Sequence, residues 1–308
     1  MINSTTESLL ETKSVFVAIV GKPNVGKSSL LNLLVKDKLA IVTMKPQTTR
    51  AKITGILTED ITQFVFFDTP GIHIPRSKLG ERMERTIKDS ISDVDVVVML
   101  FEPYKELNDA EHQLLSEIKN RKIPAIAVIN KVDTLKQKTD LLERIEFLKE
   151  QEVFSAYFGI SALKNEGIKE LHNGIELFAV ASPHFFPSDS LTDLPEKTIV
   201  EEIIREKALL FLQDEIPHGI AVIVEAFKER ADKNMIDISV NIYCEKKSHK
   251  GMIIGKNGAM LKKIASSARS DIEAFLQVKV NLQCWVKIKE DWRNSDYLLN
   301  DFGYKKRK

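Results

Sequence analysis

Residues 21–29 read Gly21, Lys22, Pro23, Asn24, Val25, Gly26, Lys27, Ser28, Ser29. Glycine, four residues, glycine, lysine and serine is the spacing of a phosphate-binding loop. Gly21 and Gly26 let the backbone curl so that successive amide hydrogens face phosphate oxygens. Lys27 can reach the terminal phosphates, and the Ser28 hydroxyl can ligate magnesium. A helix starting there adds the positive end of its dipole. Taken alone, the stretch also reads as a glycine-rich turn.

Three further stretches complete the chemistry. Asp68, Thr69, Pro70 and Gly71 close an apolar run. Asp68 there can reach magnesium through water, and the Gly71 amide can contact the last phosphate. Asn130, Lys131, Val132 and Asp133 follow the run Ala125–Ile129. The Asp133 carboxylate can accept from the ring N–H and exocyclic amine of guanine, a donor pair that adenine lacks. A site built on that pattern rejects the wrong base by roughly 10⁴-fold, because its carboxylate would stay unpaired. Asn130 and Lys131 would brace the loop and cover the ring. Ser161 and Ala162 follow a weaker run, and the Ala162 amide can meet the guanine oxygen.

The elements that must position these loops are legible as periodicity. Up to about residue 180, apolar runs such as VFVAIV and VVVMLF alternate with amphipathic helical stretches such as DAEHQLLSEIKN. Strands without polar alternation, separated by helices, predict a mostly parallel sheet covered on both faces, an α/β domain over 1–180. Ligands of such sheets bind at the carboxyl ends of the strands. Residues 181–196, with three prolines among serines and aspartates, read as a linker. A helix and strands of period two follow, as in MIDISVNIYCEK and VKVNLQCWVKIK. They predict a smaller α+β domain over 197–290, its sheet carrying helices on one face. Residues 291–308 read as a basic tail, with its final KKRK expected to be solvated.

Composition narrows the function classes. The 308 residues, 43% hydrophobic and 29% charged, place the chain among ordinary soluble globular proteins of two domains. Net charge is +1, but residues 240–308 hold 15 Lys and Arg against 7 Asp and Glu, leaving the first 239 residues at −7. A basic back half suggests a polyanionic partner there. Cys244 and Cys284 lack metal spacing and read as core thiols, in keeping with a reducing compartment. No signal peptide and no membrane helix are expected from the opening residues or the short apolar runs.

With the four motifs in this order, the chain resembles the translation-factor-related GTPases. KPQTTRAKITGI is similar to the switch segment of the Era subfamily, which implies that Thr49 closes on magnesium in the GTP state and acts with Lys27 and Gly71 in catalysis. Ile72 stands where Ras-like proteins place a water-orienting glutamine. Isoleucine cannot polarise water, so either hydrolysis is slow or another group positions the water. The resemblance also implies that Asn24 helps hold a potassium ion beside the phosphates; Asn24 as a simple loop cap is the alternative.

In the second domain, Gly255, Lys256, Asn257 and Gly258 form a GXXG tetrad between two helical stretches, after strands and before another. That order resembles a type II KH domain, in which such a loop clamps several backbone nucleotides. Lys250, Lys262 and Lys263 flank the loop. Ile253 and Ile254 read as lining a base groove or, equally, as core. The resemblance to the Era family covers nearly the whole chain. It implies a cytoplasmic, monomeric GTPase that binds small-subunit ribosomal RNA near its 3′ end and assists small-subunit assembly, with peripheral contact to the inner face of the cell membrane as a further expectation. Two rival classes remain at this level: a phosphotransferase using the loop as kinases do, and a GTP-regulated module whose second domain binds proteins or membrane.

Overall fold

A computed structural model describes residues 12–43, 45, 48–104, 106–230 and 234–304. The first domain runs β1 (Lys13–Gly21), α1 (Lys27–Leu34), β2 (Ile53–Glu59), β3 (Thr62–Asp68), α2 (Lys78–Ser92), β4 (Val96–Phe101), α3 (Asp109–Arg121), β5 (Ala125–Ile129), α4 (Lys138–Lys149), β6 (Ala156–Gly159), α5 (Ile168–Glu176) and β7 (Val180–Ala181). The sheet order is β2-β3-β1-β4-β5-β6, with β7 pairing β1. Strands β3, β1, β4, β5 and β6 are mutually parallel. Every residue of β4 and β5 is buried, as unalternating apolar strands between two helical layers must be. Two strands depart from the parallel pattern. β2 turns back antiparallel against β3, and β7 pairs antiparallel with β1.

Residues 182–195 do not hang free between the domains. The Gln63 side chain donates to the Phe186 carbonyl and accepts from the Phe185 and Phe186 amides. Further on, the Ile56 amide donates to the Leu191 carbonyl, and the Thr192 hydroxyl to that of Thr54.

The second domain comprises α6 (Glu196–Phe211), β8 (Ala221–Glu229), β9 (Met235–Cys244), α7 (Lys247–Ile254), α8 (Ala259–Leu276), β10 (Lys279–Ile288) and α9 (Asp296–Asp301). Its sheet order is β10-β9-β8, with β10 parallel and β8 antiparallel to β9. Alternation sets the faces: Ile236, Ile238, Val240 and Ile242 join Ile264, Ala268 and Ile272 of α8 in one core. Cys244 is buried and Cys284 half-buried; both are free thiols, with burial pushing Cys284 up to about 12.

The expected tail is, through residue 304, an ordered strap. Trp292, Leu299 and Phe302 are buried against Leu79 and Met83 of α2 and Tyr243 of β9, so apolar side chains seal the strap between the domains. KKRK at 305–308 lies outside the described residues. Among the described residues, no helix is long and apolar enough to cross a membrane.

Candidate nucleotide cleft and nucleic-acid interface

The loops after β1, β5 and β6, with Gly71 and Ile41, Val42, Thr43, Thr48 and Thr49, line one cleft of about 460 Å³ at the carboxyl ends of the strands. Residues 21–29 pass from β1 directly into α1, whose first turn carries no side-chain cap and no acidic residue. Its amides are thereby left for an anion. Gly26 has φ of 105°, and a Cβ there would lie 2.1 Å from Asn130 Nδ2, so only glycine fits. The buried Lys27 ammonium donates to the carbonyls of Gly21 at 3.1 Å and Lys22 at 2.8 Å. Burial draws its pKa down to about 8, with Asp68 opposing the shift.

Three hydroxyl and carboxylate groups meet beside that loop. Ser28 Oγ donates to Asp68 Oδ2 at 2.6 Å, Thr49 Oγ1 donates to the same oxygen at 3.2 Å, and the two hydroxyls lie 3.0 Å apart. Asp68 is fully buried, and its Oδ1 has no hydrogen-bond partner among the described residues. Burial pushes the carboxyl up, against Lys27 and the two hydroxyls. A buried, orphaned carboxylate oxygen beside converging hydroxyls fits a hard oxygen-seeking cation such as magnesium.

The loop after β5 is braced from within. Asn130 Nδ2 donates to the Val25 carbonyl at 2.7 Å, and its Oδ1 accepts from the amides of Lys131 at 2.8 Å and Ala162 at 3.0 Å. Ser161 Oγ donates to Asp133 Oδ1 at 2.6 Å, aiming that carboxylate. Val132 is anchored by its amide to the Ile160 carbonyl. Lys131, left-handed at φ 66°, is paired to Glu102 at 2.5 Å.

Several expected site residues serve differently. The Thr69 hydroxyl donates to the Ile19 carbonyl and the residue is fully buried, Pro70 is buried too, and neither side chain lines the cleft. The Val25 side chain is core, and its carbonyl accepts from Asn130. Ile72 is buried and donates its amide to Gly21 O at 3.0 Å. Pro23, Asn24, Ser28, Ser29 and Gly71 do line the cleft. Asn24 is exposed with φ of 61°. Sequence reasoning missed Ile41, Val42, Thr43 and Leu163, which also line it. It missed Glu111 too, which holds Lys22 at 2.6 Å. The Asn108–Glu111 capping box was a legible signal for that residue.

The tetrad Gly255–Gly258 joins α7 to α8 as a tight turn, with φ of 73°, 51° and 78° at Gly255, Asn257 and Gly258. Lys256, Asn257 and Lys262 are exposed, and Lys250 is half-buried. Ile253 does not line a groove. It is the one buried residue of α7, facing the core, whereas Ile254 is half-buried. Lys263 leans the other way, its ammonium 4.4 Å from the Phe211 ring on α6. Both α7 and α8 pack on β10, whose other edge pairs with no strand among the described residues.

Comparison with known proteins agrees with this geometry. Residues 16–131 match the family described as 50S ribosome-binding GTPase, and residues 215–293 match the KH domain family. The chain is 46% identical over 292 residues to GTPase Era of Clostridioides difficile, covering 95% of this chain and 98% of that one. It is 48% identical over 292 residues to GTPase Era of Thermoanaerobacter sp., covering 95% and 96%. A crystal structure of a variant of Aquifex aeolicus Era bound to GDP·AlF4− superposes with a TM-score of 0.91 at 35% identity, covering 95% of this chain and 99% of that one. A structure of Era with MgGDPNP and nucleotides 1506–1542 of 16S ribosomal RNA gives the same TM-score, identity and coverage. Two motif-bearing domains in this order, matched along nearly their whole length, place the chain in the Era family of GTPases.

Proposed function

We propose that this GTPase is a switch that binds small-subunit ribosomal RNA near its 3′ end and assists assembly of the small ribosomal subunit. The carrying observation is the pairing, in one chain, of a guanine-selective phosphate cleft with an exposed basic GXXG turn. The 16S ribosomal RNA nucleotides held by a structurally similar Era support the choice of RNA.

In the cleft, Ser28, Thr49 and Asp68 would hold magnesium, which neutralises phosphate charge when bound. Lys27 and the free amides of α1 bind the terminal phosphates, the Gly71 amide contacts the last of them, and Asp133 with the Ala162 amide reads guanine. The buried Ile72 cannot orient water, so positive charge supplied near Asn24 by a potassium ion is the proposed complement. Lys250, Ile254, Lys256, Asn257 and Lys262, with the Gly255 and Gly258 backbone, form the proposed RNA contact. The working division is a GTPase unit over 1–180, a connecting segment over 181–196 and a KH unit over 197–290. We take the active form as a cytoplasmic monomer, with membrane contact, where it occurs, peripheral.

The test changes Lys256 and Asn257 to aspartates, which keeps both glycines and places carboxylates where phosphates must approach. The double variant and wild type are titrated with a 3′-terminal small-subunit RNA fragment and a scrambled control. Loss of the preference for the ribosomal fragment with unchanged GTP affinity is expected. Retained preference overturns the assignment of RNA binding to this turn and favours the reading of the second domain as a protein- or membrane-binding module.

A further inference from the structure

Thr49 is gripped from the second domain on both sides. The guanidinium of Arg205, on α6, donates to the carbonyl of the preceding residue, Thr48. Arg205 is 1% exposed, and its Nε is oriented by Glu202 at 2.8 Å. The following residue, Arg50, is 3% exposed and reaches out of the first domain. Its Nη1 donates to the Ile220 carbonyl at 2.5 Å and its Nη2 to that of His218 at 2.9 Å. The same guanidinium lies 5.7 Å from the Trp292 ring. Between these two anchors, the Thr49 hydroxyl points back to Asp68. Upstream, the Val42 amide donates to Glu206 of α6 at 3.1 Å.

A threonine held at its two neighbours has little freedom left, so its hydroxyl is presented in one place. Ordering a loop residue otherwise costs about 1–2 kcal/mol of backbone entropy at the moment of ligand binding. Here that cost is met in advance by the docked second domain. We infer that Arg205 and Arg50 are positioning residues for Thr49: the KH domain, when docked, holds the switch threonine in the geometry that magnesium and the last phosphate of GTP require. The inference rests on the proposed role of Thr49. It adds a direction to the coupling between domains. GTP, which needs Thr49, favours the docked arrangement, and docking favours GTP over GDP by the same factor.

Arg205 acts on the backbone of the switch, Arg50 ties its own residue to second-domain carbonyls, and neither lines the nucleotide cleft. Their removal therefore separates positioning from binding. Arg205→Met keeps the length and loses the donors; Arg50→Met does the same on the other side, and Arg205→Lys restores one donor. Affinities of the full-length proteins for GDP and for a non-hydrolysable GTP analogue are measured with magnesium, alone and in a Thr49→Ala background. Losing one charge-assisted hydrogen bond should weaken the GTP analogue about tenfold. GDP affinity should stay within about twofold, and Arg205→Lys should recover part of the loss. In the Thr49→Ala background the arginine substitutions should no longer change the GTP-to-GDP ratio, since positioning has nothing left to position.

Equal weakening of both nucleotides, or none, overturns the inference. So does an undiminished arginine effect without Thr49. If Thr49→Ala itself leaves the ratio unchanged, the switch assignment of Thr49 fails and the inference falls with it; if Thr49→Ala lowers the ratio and the arginine variants do not, only the positioning role is refuted. Thermal unfolding with GDP bound identifies any variant that fails to fold, and Arg50→Met then carries the test in place of Arg205→Met.

Discussion

The side-chain amide of Asn130 donates to the carbonyl of Val25 at 2.7 Å, joining the loop after β5 to the loop after β1 across the sheet. The two halves of the nucleotide site are thereby one unit, and Gly26 must be glycine to let that amide pass.

Asn130→Ala should therefore weaken GDP and GTP alike. It leaves the Val25 carbonyl and the amides of Lys131 and Ala162 without their buried partner. Unsatisfied buried groups cost about 1–3 kcal/mol each, so a loss on the order of 10²-fold in affinity is expected. Calorimetric titration with both nucleotides checks it; an effect confined to GTP would contradict the bracing role.

Guanine selectivity should follow the Asp133 carboxylate that Ser161 aims at 2.6 Å. Asp133→Asn replaces an acceptor pair by an acceptor and a donor group. Preference should move from GTP to xanthosine triphosphate, with GTP weakened at least about 10²-fold. Competition binding reads this directly, and unchanged GTP affinity would refute the assignment.

Hydrolysis should run several-fold faster in potassium than in sodium, and Asn24→Ala should remove most of the difference. The buried Ile72 side chain offers no polar atom to orient water, so either hydrolysis is slow or another group positions the water or neutralises charge, and a potassium ion near Asn24 is the proposed one. Phosphate release is timed in each salt, with and without RNA. Equal rates in both salts would dispose of the potassium site.

Glu201 on α6 makes a separate, pH-dependent prediction. Its half-buried carboxylate accepts from the Val224 amide at 2.7 Å, and burial raises its pKa to about 7 from 4.5. The folded state thus holds a proton that the unfolded state has released between pH 4.5 and 7. Stability attributable to this group falls as pH rises through that window. Allowing for partial solvent screening, Glu201→Gln should stabilise the protein by about 1–2 kcal/mol at about pH 8 and make no difference near pH 4. Urea unfolding at both pH values measures it; equal effects at the two would show that charge is not the cause.

What the sequence determined by itself was local. The GKPNVGKS loop, the NKVD turn and the GKNG tetrad each depend on backbone conformations and donor types carried within a few residues. The period-two pattern of MIDISVNIYCEK likewise put Ile236, Ile238, Val240 and Ile242 on one core-facing side of β9, but it did not show that Asn241 and Tyr243 on the other side are buried as well. Where two faces competed, local pattern was silent. Ile253 and Ile254 are adjacent isoleucines, and only the packing of α7 sends the first inward. Thr69 was expected at the site as part of its motif, with no role for its hydroxyl; that hydroxyl donates to the Ile19 carbonyl of the neighbouring strand. Most of all, the tertiary structure decided what surrounds Thr49. Arg205 lies 157 residues from Thr48 in the chain, and no periodicity links them. The strap at 291–304 read as a tail because its basic end masked three buried apolar side chains whose partners lie in both domains. A pattern along one chain records which residues seek burial or a carbonyl; which surface supplies it depends on how the two domains meet.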